Sequence, residues 1–300
     1  MNRKTEIEKR GISIVIPAYN EEHSIAGTVE KTHAVLSSYP GLPFEIIVVD
    51  DGSTDKTATN APQEKCILYQ HPKNYGYGRT LLLGVARAKY PYIGIIDADN
   101  TYNPEIFRQM IPLMDIYDMV IGARQIKEQT VVVKILRRLL KFLLYFFCEH
   151  TSLDPNSGIR IFKKSLVEHG GHLFSKGFSF STSLTFFAAL NHRFIEYIPI
   201  EYGKRTGVSK VKHLRDSIRT FILIISMSLI YRPVKCFSSL LCLFVAGVTT
   251  LVSFKGRLER ETFLGFIFSL GVGVLTLAVA FLAFIQGKMY EHTMSEPRSR

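Results

Sequence analysis

Between Gly11 and Arg124 the chain alternates short, almost wholly apolar runs with longer amphipathic stretches, and this alternation constrains the fold more than any other feature. ISIVIPAYN, FEIIVVDDGS, CILYQH, YIGIIDADN and DMVIGAR each have the length of one strand, and each is too continuously apolar to leave a face in water. The segments between them, Glu21 to Leu36, DKTATNAP and GRTLLLGVARAK, carry helical spacing or turn residues. Apolar strands separated by helices predict an α/β domain with a mostly parallel, Rossmann-like sheet covered on both faces.

In such sheets ligands bind at the carboxyl ends of the strands. The polar residues gather there: Pro17 to Glu22, Asp50 to Asp55, Asp97 to Tyr102, and Arg124. PAYNEE follows the first strand where a dinucleotide fold would have GxGxxG, and no GxxxxGK[ST] occurs, so a Rossmann dinucleotide site and a P-loop are both disfavoured. Carboxylates at strand tips suit two tasks, accepting hydrogen bonds from a ribose or base and holding a hard divalent cation through oxygen. The plainer account of Asp50, Asp51, Asp97 and Asp99 is as helix caps and turn formers. Two acidic pairs, each closing a buried strand, argue against it.

The other end of the chain has a different character. No residue is charged from Phe237 to Phe254, nor from Phe263 to Ile285, and KGRLERET between them leaves room only for a tight polar turn. Each run is long enough to cross a hydrocarbon core of about 30 Å, which predicts a two-helix transmembrane hairpin over 237–285. Two further segments read as interfacial. In VVVKILRRLLKFLLYFF, residues 131–147, Lys134, Arg137, Arg138 and Lys141 fall on one helical face with Leu, Ile and Phe around the rest, as in a helix lying in the headgroup layer. IRTFILIISMSLIY, residues 218–231, is too short to cross and leads into Arg232 and Pro233.

The expected organisation is a catalytic domain over 1–215, a juxtamembrane helix over 216–236, the hairpin, and a tail over 286–300. MNRKTEIEKRG lacks the pattern of a signal peptide, so the domain ahead of the spans is expected on the cytoplasmic face. The flanking bases give the same orientation a weak positive-inside bias. A net charge of +11 calls for anionic partners, and with the bases set among apolar helices these are membrane headgroups and a phosphorylated substrate rather than nucleic acid. Cys66, Cys148, Cys236 and Cys242 show no CxxC or His partner at metal-ligand spacing and read as buried thiols in a reducing compartment.

IVIPAYNEE, IVVDDGSTD, DADN, VIGAR, DPNSGIRIFKKS and KRTGVSK occur in the order and approximate spacing of family 2 glycosyltransferases with the GT-A fold. Over about residues 11–215 the chain most resembles the polyprenyl-phosphate hexosyltransferases, the group of dolichol-phosphate mannose synthase and the bactoprenol glucosyltransferases. The resemblance implies that Pro17, Tyr19 and Glu21 contact the base and ribose of a nucleotide-sugar donor, with Val49 and Asp51 closing the same pocket. It implies that Asp97, Ala98 and Asp99 form a DxD element in which the two Asp hold Mg²⁺ or Mn²⁺ on the donor diphosphate. Thr101 stands where some members have Gln. Lys204 stands where an Arg is usual, with Arg205 beside it, so that one of the two, together with Lys210 of the same motif, is expected at the diphosphate.

A phosphate acceptor is anionic at neutral pH and needs no strong general base, so the site must offset repulsion instead. Arg124, Arg138 and Arg160 are the candidates for the acceptor phosphate, and Asp154 either orients Arg160 or lies near the acceptor. The implied reaction is inverting transfer of a hexose from a GDP-mannose or UDP-glucose type donor to a polyprenyl phosphate. Homo-oligomerisation is left open. Two other readings compete. A family 2 enzyme acting on another glycan or glycolipid would, if processive, carry QxxRW, and this chain has no Trp. A non-catalytic membrane-tethered binding protein on the same fold would have lost its acidic motifs, and they are intact.

Overall fold

The computed structural model describes residues 11–125, 131–149, 154–170, 174, 177, 179–203 and 213–253, with 265, 267–268, 270–275, 278 and 282 beyond them. It divides the chain into two compact units, 1–224 and 225–300.

The first unit is built on a seven-stranded sheet of order β3-β2-β1-β4-β6-β5-β7. All five strands expected from the apolar runs are present: β1 Ile12–Ala18, β2 Phe44–Asp50, β3 Ile67–Gln70, β4 Tyr92–Ile95 and β5 Met119–Arg124. Two more, β6 Arg160–Lys163 and β7 Ile195–Ile200, complete it. Strands β1 to β4 pair in parallel, β7 pairs in parallel with β5, and β6 alone runs antiparallel, between β4 and β5.

Every residue of β1 is buried, because helices cover both faces. Ile12, Ile14 and Ile16 share one core with Ile25, Val29 and Leu36 of the helix Ile25–Ser37 and with Phe107 and Met110. Val15 faces the opposite side, where a Cβ on Gly84 would come within 2.3 Å of Val15 Cγ1, so the helix Tyr77–Arg87 lies directly on the sheet. Each fully buried Ile or Val contributes about 1.5 to 3 kcal/mol of transfer free energy. With the core this dense, the strand ends are firm mounts for the polar loops that follow them.

Strand order reverses at β1, whose neighbours are β2 on one side and β4 on the other. The carboxyl end of β1 therefore lies between those of β2 and β4, which is the switch point where α/β sheets take ligands.

In the second unit the helix Pro233–Ser253 covers the first expected span apart from Phe254. Among the described residues no single helix is long and apolar enough to cross a membrane; the stretches Thr220–Tyr231 and Pro233–Gly247 together match a span in length and composition alone, but they are bent by 112° at the break, and most of the second expected span, Phe263 to Ile285, lies outside the described residues.

Candidate active site

The loops after β1 and β2 are joined by a set of local bonds. Asn20, at a left-handed φ of 53°, donates its N–H to Ser53 Oγ at 2.9 Å and accepts Thr54 N–H on Oδ1 at 2.9 Å. Glu21 N–H donates to Thr57 Oγ1 at 2.8 Å, and Glu22 N–H to Asp55 Oδ2 at 3.2 Å. With these residues held in turns, the first helix starts at Ile25 rather than at Glu21. Tyr19 and Glu21 stay half-buried at the mouth of the switch point, where a base or ribose can reach them. Gly52 is required here by its φ of 70° and because a Cβ would lie 2.5 Å from the Lys73 carbonyl carbon.

Two residues expected to close the same pocket lie deeper. Val49 is fully buried, paired with Pro17 in the β1–β2 ladder, so it supports the pocket floor from within and does not line it. Asp51 is 3% exposed and spends its carboxylate on the protein: Oδ1 lies 2.8 Å from His71 Nδ1 and accepts Tyr75 N–H at 2.8 Å, while Oδ2 accepts Gly76 N–H at 2.8 Å. This carboxylate moors the loop that enters the helix Tyr77–Arg87. Asp50 is likewise buried, accepting from Ser53 N–H at 3.1 Å and Gln70 Nε2 at 3.3 Å.

The tip after β4 is arranged differently. Asp97 is only half-buried, and its Oδ1 accepts the Tyr77 hydroxyl at 2.9 Å. Asp99 is 6% exposed, with Thr101 donating to its Oδ1 from Oγ1 at 2.5 Å and from N–H at 3.1 Å. Ala98 is buried between them and takes part through its backbone, its carbonyl accepting Thr28 Oγ1 at 3.3 Å. Asn100 turns the loop at a φ of 59°. Gly158 of the DPNSGIR motif presses on Asp97 so closely that a Cβ there would sit 2.1 Å from Asp97 Oδ2, and its N–H donates to the Tyr102 hydroxyl oxygen at 2.8 Å. Burial, reinforced by the Asp97 charge, pushes the Tyr77 hydroxyl well above its ordinary range, so it stays protonated and donates.

Two carboxylates, each with one oxygen held by a neighbouring hydroxyl, Tyr77 on Asp97 and Thr101 on Asp99, are a hard oxygen donor set that suits Mg²⁺ or Mn²⁺. Among the described residues no group of three His, Cys, Asp or Glu gathers as a closed metal shell. A cation held by Asp97 and Asp99 would take its remaining ligands from a bound substrate or water.

The three arginines proposed for the acceptor have separate positions. Arg124, at the end of β5, makes a bidentate pair with Asp154, Nε to Oδ2 at 2.6 Å and Nη2 to Oδ1 at 3.0 Å, and packs over the Tyr202 ring at 5.2 Å. Burial alone would lower its pKa, but the Asp154 hydrogen bonds more than offset this and raise it. Asp154 thus orients Arg124. Arg160 is fully buried and cannot meet an acceptor phosphate: Nη1 donates to Ser181 O and Thr185 Oγ1, each at 3.0 Å, and Nη2 to Pro155 O at 3.2 Å and Ser157 O at 2.6 Å. Its work is to tie the DPNSGIR loop to the helix Phe180–Leu190.

Arg138 lies on the helix Val131–Cys148, exposed together with Lys134 and Lys141. Beside this basic stripe Ile135, Leu139 and Phe142 are also exposed, at 57%, 42% and 58%, while Leu143, Leu144, Phe147 and Cys148 face the protein.

The chain returns to the acidic tip after β7. Gly203 N–H donates to Thr101 O at 2.9 Å, and the Tyr202 ring meets the Tyr102 ring edge-on at 5.3 Å. KRTGVSK begins at the next residue, but Lys204, Arg205 and Lys210 lie outside the described residues. Tyr77, Tyr102, Gly158 and Tyr202 also gather around the acidic tip, and none of them stands out as a site residue in the sequence. Their roles depend on contacts between distant segments. The only local hints were the glycines around Tyr77 and the place of Tyr102 just after DADN.

Comparison with known proteins agrees with this arrangement. The family model described as glycosyl transferase family 2 matches residues 13–171. An undecaprenyl-phosphate 4-deoxy-4-formamido-L-arabinose transferase of Pectobacterium carotovorum subsp. carotovorum is 24% identical over 289 residues, covering 92% of this chain and 84% of the relative. The low-salt glycan biosynthesis hexosyltransferase Agl6 of Haloferax volcanii is 30% identical over 281 residues, covering 89% and 65%. Among solved structures, glucosyl-3-phosphoglycerate synthase from Mycobacterium tuberculosis, in complex with Mn²⁺, UDP-glucose and phosphoglyceric acid, superposes with a TM-score of 0.58 at 20% identity, over 75% of this chain and 83% of that one. The shared sheet, the acidic tip at its switch point and the match of the family model over more than half the chain lead to one assignment: the protein is a family 2 glycosyltransferase with a GT-A-like fold.

Proposed function

We propose that the enzyme transfers one hexose, with inversion, from a UDP- or GDP-sugar to a polyprenyl phosphate at the cytoplasmic membrane face. The observation that carries this reading is the helix Val131–Cys148, which exposes a basic and an apolar stripe side by side in the same unit as the acidic tip. A lipid acceptor presents the same pair of chemistries, an anionic head and an apolar tail. The undecaprenyl-phosphate transferase among the relatives supports the acceptor class.

Under this reading Tyr19 and Glu21 bind the nucleoside, over a floor built by Pro17 and Val49. Asp97 and Asp99 would hold Mg²⁺ or Mn²⁺, whose charge, when bound, offsets that of the leaving nucleoside diphosphate. Lys204, Arg205 or Lys210 adds positive charge at the same diphosphate. Arg138 meets the acceptor phosphate. Arg124 supplies a fixed guanidinium near the tip, although Asp154 offsets much of its charge. The phosphate oxygen attacks the anomeric carbon from the face opposite the diphosphate without a strong base.

The proposed domain organisation is a catalytic domain over 1–215, a juxtamembrane helix over 216–236, a transmembrane hairpin over 237–285 and a cytoplasmic tail over 286–300.

The test is a panel of radiolabelled sugar nucleotides offered to membranes containing the protein and polyprenyl phosphate. One hexose label should enter the organic phase as a polyprenyl-phosphate monosaccharide. Label in longer glycans, or none in lipid with any donor, would overturn the reading.

A further inference from the structure

We infer that Tyr77 is a positioning residue for the metal site, holding Asp97 in its ligating orientation, and that Asp51 acts on the same site by mooring the loop that carries Tyr77. The inference rests on the proposed reading of Asp97 as a metal ligand and adds what sets its geometry.

The chain of contacts is continuous from one strand tip to the other. Asp51, after β2, receives the Tyr75 and Gly76 N–H groups on its two carboxylate oxygens, each at 2.8 Å. Gly76 has a φ of 96°, a turn that L side chains rarely adopt, and the helix Tyr77–Arg87 starts at the next residue. The Tyr77 hydroxyl reaches Asp97 Oδ1 at 2.9 Å. Gly158 backs the carboxylate from another side, with space for no side chain larger than hydrogen. A carboxylate fixed by a hydroxyl and a close backbone wall keeps one rotamer. Outer-shell hydrogen bonds of this kind typically affect metal affinity by about 10- to 100-fold. The nucleotide rim and the metal tip thereby share one support, because a displacement at Asp51 moves Tyr77 and hence Asp97.

The test is Mn²⁺ binding to the full-length protein in detergent, followed by electron paramagnetic resonance in the presence of UDP and, separately, GDP. Tyr77→Phe removes one oxygen and leaves the ring in place, so it should bind Mn²⁺ about 10- to 100-fold more weakly. Asp51→Asn should shift binding in the same direction, and the double variant should be little weaker than the weaker single variant, because both act through one loop. Four outcomes would overturn parts of this account. If Asp97→Asn binds Mn²⁺ like the wild type, the metal reading itself is wrong. If Asp97→Asn loses binding while Tyr77→Phe keeps wild-type affinity, the metal reading stands and the positioning role fails. If Tyr77→Phe lowers only the metal-free thermal midpoint and leaves the Mn²⁺ affinity of the folded protein unchanged, the hydroxyl is merely structural. Fully additive losses in the double variant would break the link through Asp51.

Discussion

The acidic tips after β2 and β4 look alike in the sequence and differ in what their carboxylates touch. Asp50 and Asp51 are buried; Asp51 accepts the Tyr75 and Gly76 N–H groups of the loop after β3, and Asp50 accepts the N–H and hydroxyl of Ser53 in its own loop. Asp97 accepts the Tyr77 hydroxyl and remains half-open, while Asp99, 6% exposed, accepts both the hydroxyl and the N–H of Thr101. A buried carboxylate with backbone donors on both oxygens, as in Asp51, is committed to architecture, since an orphaned buried N–H costs about 1 to 3 kcal/mol. One steered by a hydroxyl can still present itself to a cation. Under the proposed function Asp51 serves architecture, and Asp97 with Asp99 serves the chemistry.

The sharpest break between the pairs is expected in catalysis. Asp99→Asn keeps an oxygen for the Thr101 donors and should stay folded, yet metal-dependent transfer should fall by at least about 100-fold, since metal stabilisation of a leaving group is worth several kcal/mol at about 1.4 kcal/mol per decade. Rates of sugar transfer beside circular dichroism spectra check this.

Next in size is the separation of acceptor chemistry from anchoring on the helix Val131–Cys148. A charge-assisted phosphate contact is worth roughly 1.5 to 3 kcal/mol, about 10- to 150-fold. Arg138→Ala should lose that much lipid-phosphate transfer in detergent, while Lys134→Ala and Lys141→Ala should change it little. Equal losses for all three would make the helix a general basic anchor.

For the β2 tip the expected loss is in stability. Asp51→Asn presents a donor to one of two backbone donors and should cost about 1.5 to 3 kcal/mol, read as a lower thermal midpoint in calorimetry. An unchanged midpoint would remove the architectural role.

The smallest effect concerns the rim. Burial alone would raise the Asp55 pKa, but hydrogen bonds from Thr57 and from the Glu22 N–H hold it below its ordinary 3.8. A carboxyl lowered on folding contributes stability that is present above the unfolded value and lost as pH falls through the folded one. The rim should therefore loosen only below about pH 4, and Asp55→Asn should flatten that part of the acid unfolding curve.

How much of this was legible follows from where each signal resides. β1, β2, β4 and β5 announced themselves because buried strands are continuously apolar; β3 carries a similar run, yet it is the edge strand and leaves Ile67 45% exposed, against the expectation that none of the five has a face in water. β6 did not, since RIFK is short, half basic and begins with an arginine whose guanidinium donates to the carbonyls of Pro155, Ser157 and Ser181 and to the Thr185 hydroxyl. The acidic tips were visible as motifs, but the division of labour between them was not, because Asp51 finds Tyr75 and Gly76 only once β3 has folded back beside β2. For the same reason Arg160, at 0% exposed, could pass for a phosphate ligand in the sequence, whereas burial makes it a tie between loop and helix.

The central claim, that Asp97 and Asp99 form a metal-dependent donor site serving a lipid phosphate, is tested most directly by one assay. Hexose label extracted with polyprenyl phosphate is measured for the wild type and Asp99→Asn, with EDTA and after re-addition of Mn²⁺ or Mg²⁺. The wild type should lose lipid label in EDTA and regain it with either ion, and Asp99→Asn should stay inactive throughout. Undiminished wild-type transfer in EDTA, or normal turnover by Asp99→Asn with the same metal requirement, would contradict the account.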